Sequence, residues 1–436
     1  MESLLTDKKM DKKNVFRQII AEFIENPLPK ALPRHVEIPL DTPKIISLLG
    51  PRRSGKTYAL FYAMQQLHKS VERSRLIYLN FEDDRLFPLR LRDMDSLLQA
   101  YFELYPDNKD GRVWFFFDEV QEVQHWEKFV RRVWDTENCR IYLTGSSSKL
   151  LSRELSTTLR GRTLPYEIFP LNLSEFLNFN NIEIHPETSK GQATILHWFD
   201  RWLRQGGFPE LVFLSRDLHR RTIDEYLDLM LYKDLTERFS LKNPSLLKYL
   251  LKYVISNLAN PLSINKIFND IKSQGFKLSR STVYDYLSHL EEAFLIFRVD
   301  IWHRSIRSQS QTPSKTYIID PAFKFAMTIG DDTGRVLENA VFLHLKQQGL
   351  KLHYFLKKQE VDFFWENGKP INVCLDFHTD DTKAREIKGI LEALNFLDEK
   401  EGLILTRDRT EDIKTNGKNI LIRPAWKFFL EKTNSI

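Results

Sequence analysis

The sequence is short of the features that most readily betray a protein's class. It holds only two cysteines, Cys139 and Cys374, in 436 residues. Neither stands in a C-x-x-C pair or at zinc-ligand spacing with histidine, which excludes a disulfide framework and a zinc cluster. Both read as small buried apolar side chains in a reducing compartment. No apolar run approaches the ~18 residues needed to cross a bilayer. The opening stretch MESLLTDKKMDKK lacks the apolar segment of a secretory signal, so a cytoplasmic protein with no membrane partner is expected. Glycine and proline number 16 and 18, which excludes collagen-like and low-complexity chains. No internal repeat at solenoid periods is found. Charge of one sign is scarce as well: the net +5 permits a nucleic-acid partner without arguing for one.

What is present is an ordinary globular composition, 42% hydrophobic and 28% charged, with length for two to four domains at about 150 residues each. Residues 12–25 have the spacing of an amphipathic helix, with Val15, Ile19, Ile20 and Phe23 on one face. Pro27, Pro29, Pro33, Pro39 and Pro43 then forbid a continuous helix and mark a linker. Between Lys44 and the mid-160s, the apolar runs 44–50, 75–81, 113–119 and 140–146 alternate with helical patterns. This is the signature of a parallel sheet covered on both faces. From about 165 to 312 the pattern is mostly helical. Strands return at 315–320, 351–356, 360–366, 370–377 and 402–407, interleaved with helices near 334–348 and 381–397.

Gly50-Pro51-Arg52-Arg53-Ser54-Gly55-Lys56-Thr57 fits G-x-x-x-x-G-K-[ST], directly after an apolar strand and at the start of a helical pattern. Glycines allow backbone N–H groups to close around phosphate oxygens, and the helix start adds its positive dipole end. In that frame Lys56 reaches the β- and γ-phosphates of ATP and Thr57 places its hydroxyl on Mg2+. The strand Val113–Phe117 ends in Asp118 and Glu119, the arrangement of a Walker B element. Asp118 then meets the magnesium shell and Glu119 polarises the attacking water. The next apolar run ends in Thr144, Gly145 and Ser146, where a polar side chain can hold the γ-phosphate or the water. ATP binding and hydrolysis follow as the firm expectation.

These motifs, together with Trp126, the stretch LTGSSSKLLSRELSTTLRGRT, FPLNLSEFL at 169–177, GGFPE at 206–210 and EVDFF at 360–364, resemble a bacterial and archaeal group of AAA-type ATPases. That group carries a C-terminal domain of unknown function with a restriction-endonuclease-like fold, and the resemblance covers nearly the whole chain. It implies an α/β fold: an N-terminal helix and linker at 1–35, an AAA-type ATPase core at 36–165, and a helical lid at 166–240. A winged-helix module at 241–312 and a restriction-endonuclease-like α/β domain at 313–436 complete it. Arg160 and Arg162 stand where such an oligomer, a ring included, could present an arginine to a neighbour's γ-phosphate. A solvated or salt-bridged arginine pair explains them equally well. Arg201 and Arg204 are weaker candidates for a nucleotide sensor.

Within the winged-helix segment, Ser263 and Ser279 read as N-caps and Gly275 as a stop before a turn. Lys277, Arg280, Ser281 and Tyr284 would open a DNA-reading helix. Arg298, Arg304, Arg307 and Lys315, against Asp300, would lie along phosphates. In the last domain Glu338, Asp362 and the strand around Asn372 follow the order of the PD-(D/E)xK nucleases. The E-x-K triplet has become Asn372-Val373-Cys374, losing a carboxylate and the lysine together, so a nuclease fold without nuclease activity is expected. Two functions stay open: a homo-oligomeric ATPase acting on DNA, branched or structured forms included, and a regulatory ATPase whose nucleotide state controls assembly with a protein partner.

Overall fold

A computed structural model describes residues 11–146, 159, 161–303, 305, 312–328, 330, 332–366 and 368–431. Two compact units emerge. The first comprises the chain up to Gly50 together with Gly55–Ile168; the second comprises Pro51–Ser54 and the chain from Phe169 onward.

In the first unit five parallel strands, β1 (Ile45–Leu49), β2 (Leu76–Asn80), β3 (Val113–Asp118), β4 (Cys139–Gly145) and β5 (Thr163–Glu167), form one sheet in the order β2-β3-β4-β1-β5. Strands β1 and β3 are buried at every residue, which is why they read as unbroken apolar runs. Parallel neighbours need crossovers, and the helices Lys56–Leu67, Asp95–Leu104 and Trp126–Thr136 supply them. Because β1, β4 and β3 are consecutive neighbours, the loop after β1 and the carboxyl ends of β3 and β4 meet at one edge of the sheet. Strand β5 carries Pro165 and is partly exposed, as an edge strand allows, so no apolar run announced it. The helix Lys12–Glu25 buries Val15, Phe16, Ile19 and Ile20, while Phe23 packs on Phe61 and Tyr78. Cys139, at the start of β4, is buried.

The second unit begins with the helices Leu173–Phe179, Ser189–Gln205 and Arg216–Leu229, the last running on into a π-helical segment, Met230–Glu237. Helices Pro244–Ser256, Ile264–Ser273 and Arg280–Glu292 follow. They accompany a small antiparallel sheet of β6 (Pro261–Leu262), β7 (Ile296–Val299) and β8 (Ser314–Ile318), ordered β6-β8-β7. Ser263 and Ser279 accept from the backbone N–H groups of Lys266 and Thr282, capping their helices, and Gly275 adopts φ +89°. A six-stranded mixed sheet closes the chain: β9 (His353–Leu356), β10 (Glu360–Phe364), β11 (Ile371–Val373), β12 (Glu401–Thr406), β13 (Glu411–Thr415) and β14 (Lys418–Pro424), ordered β13-β14-β12-β11-β10-β9. The helices Thr333–Gln347 and Asp380–Leu397 belong to it. One apolar core runs from Phe169 to Phe429, and a second packs the helix Asp380–Leu397 through Ile390, Ala393 and Leu394 against Val361, Ile404 and Ile420 of the six-stranded sheet.

The glycines of GGFPE have a geometric reason. Gly206 ends its helix at φ +81°, where a Cβ would lie 1.9 Å from Asp320 Oδ1. Gly207 brings its backbone against Leu171 and donates its N–H to Asp320 Oδ2 at 2.7 Å.

Candidate functional site

The loop after β1 turns through Gly50 (φ +157°), Arg53 (φ +64°) and Gly55 (φ +93°) before the helix Lys56–Leu67 begins. Glycine meets the positive φ at Gly50 and Gly55 without steric cost; at Arg53 the backbone holds a side chain in the left-handed region. Lys56 is buried and folds back into the loop, donating to the Gly50 carbonyl at 3.2 Å. Its Nζ also lies 3.6 Å from Glu119 Oε1.

Asp118, at the end of β3, is the centre of a hydroxyl cage. Its Oδ2 accepts from Thr57 Oγ1 at 2.7 Å and from Tyr78 at 2.8 Å, and its Oδ1 accepts from Thr144. Burial pushes its carboxyl pKa up and the Glu119 charge adds to this, while the hydroxyls of Thr144, Thr57 and Tyr78 oppose it. Burial, then the charge of Asp118, pushes Tyr78 upward, so its phenol stays protonated as a donor. Glu119 is buried in a left-handed conformation (φ +52°) and accepts from Gln121, while its own N–H donates to Thr144 Oγ1 at 2.9 Å. Thr144 therefore ties both acids together. Two carboxylates and a threonine hydroxyl at one spot are the hard oxygen donors that Mg2+ selects. The residues present fit a magnesium–nucleotide complex, which Thr57 and Asp118 would hold by the metal and Lys56 by the phosphates. Tyr78 was not foreseen. Its only signal was a phenol in the otherwise apolar run RLIYLNF.

The arginines fare differently. Arg160 lies outside the described residues, as does most of the Ser146–Arg160 stretch. Arg162 is engaged within its own chain, its guanidinium 5.0 Å from the Trp134 ring and 3.5 Å from Asp135 Oδ1. Arg201 and Arg204 line a cavity of about 1000 Å3 with His197, His219 and Arg220.

A second cluster corrects one sequence expectation. Lys315 does not lie along a phosphate track: it is fully buried in β8, its Nζ 2.8 Å from Glu338 Oε1, 2.7 Å from Glu360 Oε1 and 2.8 Å from Asp362 Oδ1. An ammonium therefore stands among Glu338, Glu360 and Asp362, brought by a strand far away in sequence, which local spacing cannot reveal. Burial works against the Lys315 charge, but Asp362 and Glu338 outweigh it and hold the ammonium well above the usual lysine range. Burial, followed by the Asp362 charge, raises Glu338 to about 7. Asn372 accepts from the Asp362 N–H at 3.2 Å and donates to Glu386 at 2.7 Å. Cys374 is buried, with its thiol pushed up to about 12 chiefly by burial. Arg298 is likewise paired, with Glu291 at 2.7 Å, while Arg304 and Arg307 lie outside the described residues.

A parallel sheet with β1 beside β4, a phosphate-binding loop after β1 and paired acids after β3 defines an AAA-type P-loop ATPase. Residues 42–177 match the family described as "AAA domain", and residues 196–333 match a "Domain of unknown function (DUF8612)". The chain belongs to the family of MJ1544 from Methanocaldococcus jannaschii, an uncharacterized protein to which it is 37% identical over 98% of both chains. An uncharacterized protein of Haemophilus influenzae is 28% identical over 74% of this chain and 80% of its own. Among solved structures, the Walker-type ATPase PABY2304 of Pyrococcus abyssi aligns with TM-score 0.43 and 15% identity, over 73% of this chain and 95% of that one. The ORC1 protein of Aeropyrum pernix, in complex with DNA, aligns with TM-score 0.31 and 12% identity, over 72% and 91%. Among the described residues, no helix is long and apolar enough to cross a membrane.

Proposed function

We propose that this ATPase binds DNA, branched or structured forms included, and couples ATP turnover to that binding. The observation that carries the reading is the start of the helix Arg280–Glu292. Lys277, Arg280, Ser281 and Tyr284 are all exposed there, on a helix fixed at its N-terminus by Ser279. Three helices with the sheet β6-β8-β7 have the composition of a winged-helix module, whose third helix enters the major groove. Exposed Tyr284, with the Arg298 guanidinium 5.8 Å from its ring, offers an aromatic surface beside positive charge.

At the nucleotide site, Lys56 faces the β- and γ-phosphates and Glu119 orients and deprotonates water. Thr57 and Asp118 take the metal, and Thr144 holds Asp118 and the Glu119 backbone in register. Bound there, Mg2+ would neutralise phosphate charge as it develops. An arginine from a second copy of the chain completes the site. With Arg162 engaged by Trp134 and Asp135, Arg160 is the first to test. The carboxylate cluster around Lys315 belongs to a nuclease-like fold that has ceased to cut.

The test is ATP turnover with single-stranded, duplex, forked and four-way DNA, in rising salt. Stimulation that falls steeply with salt, and is lost in Arg280→Glu with Tyr284→Ala, is the expected result. Turnover indifferent to every DNA form would favour regulation through a protein partner.

A further inference from the structure

The helices Ser189–Gln205, Arg216–Leu229 and Ala322–Met327 line a cavity of about 1000 Å3 that the second unit builds alone. Its described wall residues all fall within 196–333, the stretch matched to a domain of unknown function. His197, Arg201 and Arg204 recur at helical spacing on the first helix, so they share one face. Arg220 comes from the second. Asp200 is the one acid among the described wall residues, and Arg407 already engages it at 2.7 Å. The wall is therefore positive, and a concave surface of one sign concentrates ions of the other.

Arg201 is oriented before any ligand arrives. Its Nε donates to Gln205 Oε1 at 2.9 Å and its guanidinium lies 4.6 Å from the Trp198 ring. Gln205 is itself buried and fixed on the Leu211 carbonyl at 2.8 Å. Among the described residues, no acceptor meets the Nη1 and Nη2 groups of Arg201 or any nitrogen of Arg220, and both side chains are exposed. A guanidinium held by Nε keeps its Nη groups for phosphate oxygens. The same wall carries an apolar part: Ile223 and Ala322 are buried, and Phe325 is half-buried against the core. A bare phosphate backbone has no use for such a surface, whereas a base does. Small-molecule sites have this make-up, apolar lining with a few convergent polar groups, at volumes of about 300–1,000 Å3.

We propose that this cavity is a second nucleotide-binding site, formed by the second unit alone: Arg201 and Arg220 take the phosphates of a nucleoside polyphosphate, and Phe325, with Ile223 and Ala322, receives its base. The site needs none of the residues of the phosphate-binding loop, so it stands or falls apart from the ATPase reading. It gives the 196–333 stretch a ligand.

Equilibrium dialysis of the full chain against non-hydrolysable ATP and GTP analogues, with inorganic triphosphate as competitor, tests it. The variants are Arg201→Gln, Arg220→Gln, their double, Phe325→Leu and Lys56→Ala. Wild type should bind a second equivalent of at least one analogue, and Lys56→Ala should keep the equivalent that the arginines hold. Each arginine variant should weaken that equivalent about 10-fold, and the double should lose it, with the unfolding midpoint unchanged because both side chains are exposed. Phe325→Leu, which keeps an apolar side chain in the core, should weaken the nucleotide and leave inorganic triphosphate where it was. Binding confined to an equivalent that Lys56→Ala abolishes and the arginine variants spare overturns the proposal. So does inorganic triphosphate binding as tightly as either nucleotide, which marks a plain anion site. Loss of duplex DNA binding in the arginine variants, with no nucleotide bound there in wild type, assigns the wall to nucleic acid and overturns it too. If wild type binds nothing through Lys56 but keeps the arginine-dependent equivalent, the ATPase reading falls and this one stands.

Discussion

Lys56 and Glu119 divide the chemistry of the nucleotide site between a fixed cation and a base, and substitution separates the two. Lys56→Ala removes the charge facing the phosphates and should lower ATP turnover by about 100-fold or more, read as phosphate release. Glu119→Gln keeps the shape and the contact with Gln121 but loses the base. It should retain ATP binding while turnover falls by about 100-fold, read by nucleotide retention on a filter beside the rate. Asp320 makes a different statement. It accepts from the N–H groups of Gly207 and Ala322, and burial pushes it up to about 7. A carboxyl with a higher pKa folded than unfolded binds its proton more tightly in the folded chain. The folded state is therefore favoured while Asp320 is protonated, and the advantage is lost as pH rises through about 7. Urea unfolding of the second unit should lose up to about 1.4 kcal/mol per pH unit between pH 5 and 7 from this group. Asp320→Asn should flatten that slope, with Glu338 contributing a residual of the same sign. An unchanged slope would refute the assignment. The motif residues 50–57, 118, 119 and 144 were legible because their chemistry lies in local spacing. Tyr78 and Lys315 were not, because each reaches its carboxylate from a strand far away in sequence.

Among elements, the turn Gly206–Gly207 leaves no room for a side chain. An alanine at 206 would meet Asp320 Oδ1 and hold a φ of +81° that L-residues avoid, so Gly206→Ala should destabilise the second unit on the order of 2–3 kcal/mol. Hydrogen exchange of the helix Ser189–Gln205 would report it, and unaltered protection would refute it. The elements that the sequence announced were those with one clear period: the fully buried strands β1 and β3, and the helices capped by Ser263 and Ser279. Of the strands it hid, β14 is internal to its sheet, while β5 and β13 are edges. Strand β5 carries a proline and β13, with the sequence EDIKT, has one apolar residue, because an edge strand needs no buried face to earn its place. Strand β11 is also shorter than its apolar run suggested, ending at Val373 as Cys374 turns to donate its N–H to Leu405.

For the whole molecule, subunit mixing decides whether the ATPase works alone. If Arg160 acts on a neighbour, Arg160→Ala should be inactive by itself and regain turnover when excess Lys56→Ala subunits, which keep the arginine, are added. No recovery at any ratio would remove the role. The carboxylate cluster offers a second decision. With the Lys315 ammonium 2.7–2.8 Å from three carboxylates, no cutting of any DNA form is expected with Mg2+ or Mn2+. Nicking by wild type that vanishes in Asp362→Ala would show that the centre hydrolyses DNA after all. Lastly, both thiols of the chain are buried, and burial pushes each up to about 12, so neither offers a thiolate to an alkylating reagent at neutral pH. The natural sequence is therefore already a clean background for chemical labelling. A single cysteine placed at exposed position 284, in place of Tyr284, would take a fluorophore without first removing a native cysteine, and the reporter would sit on the helix proposed to read DNA.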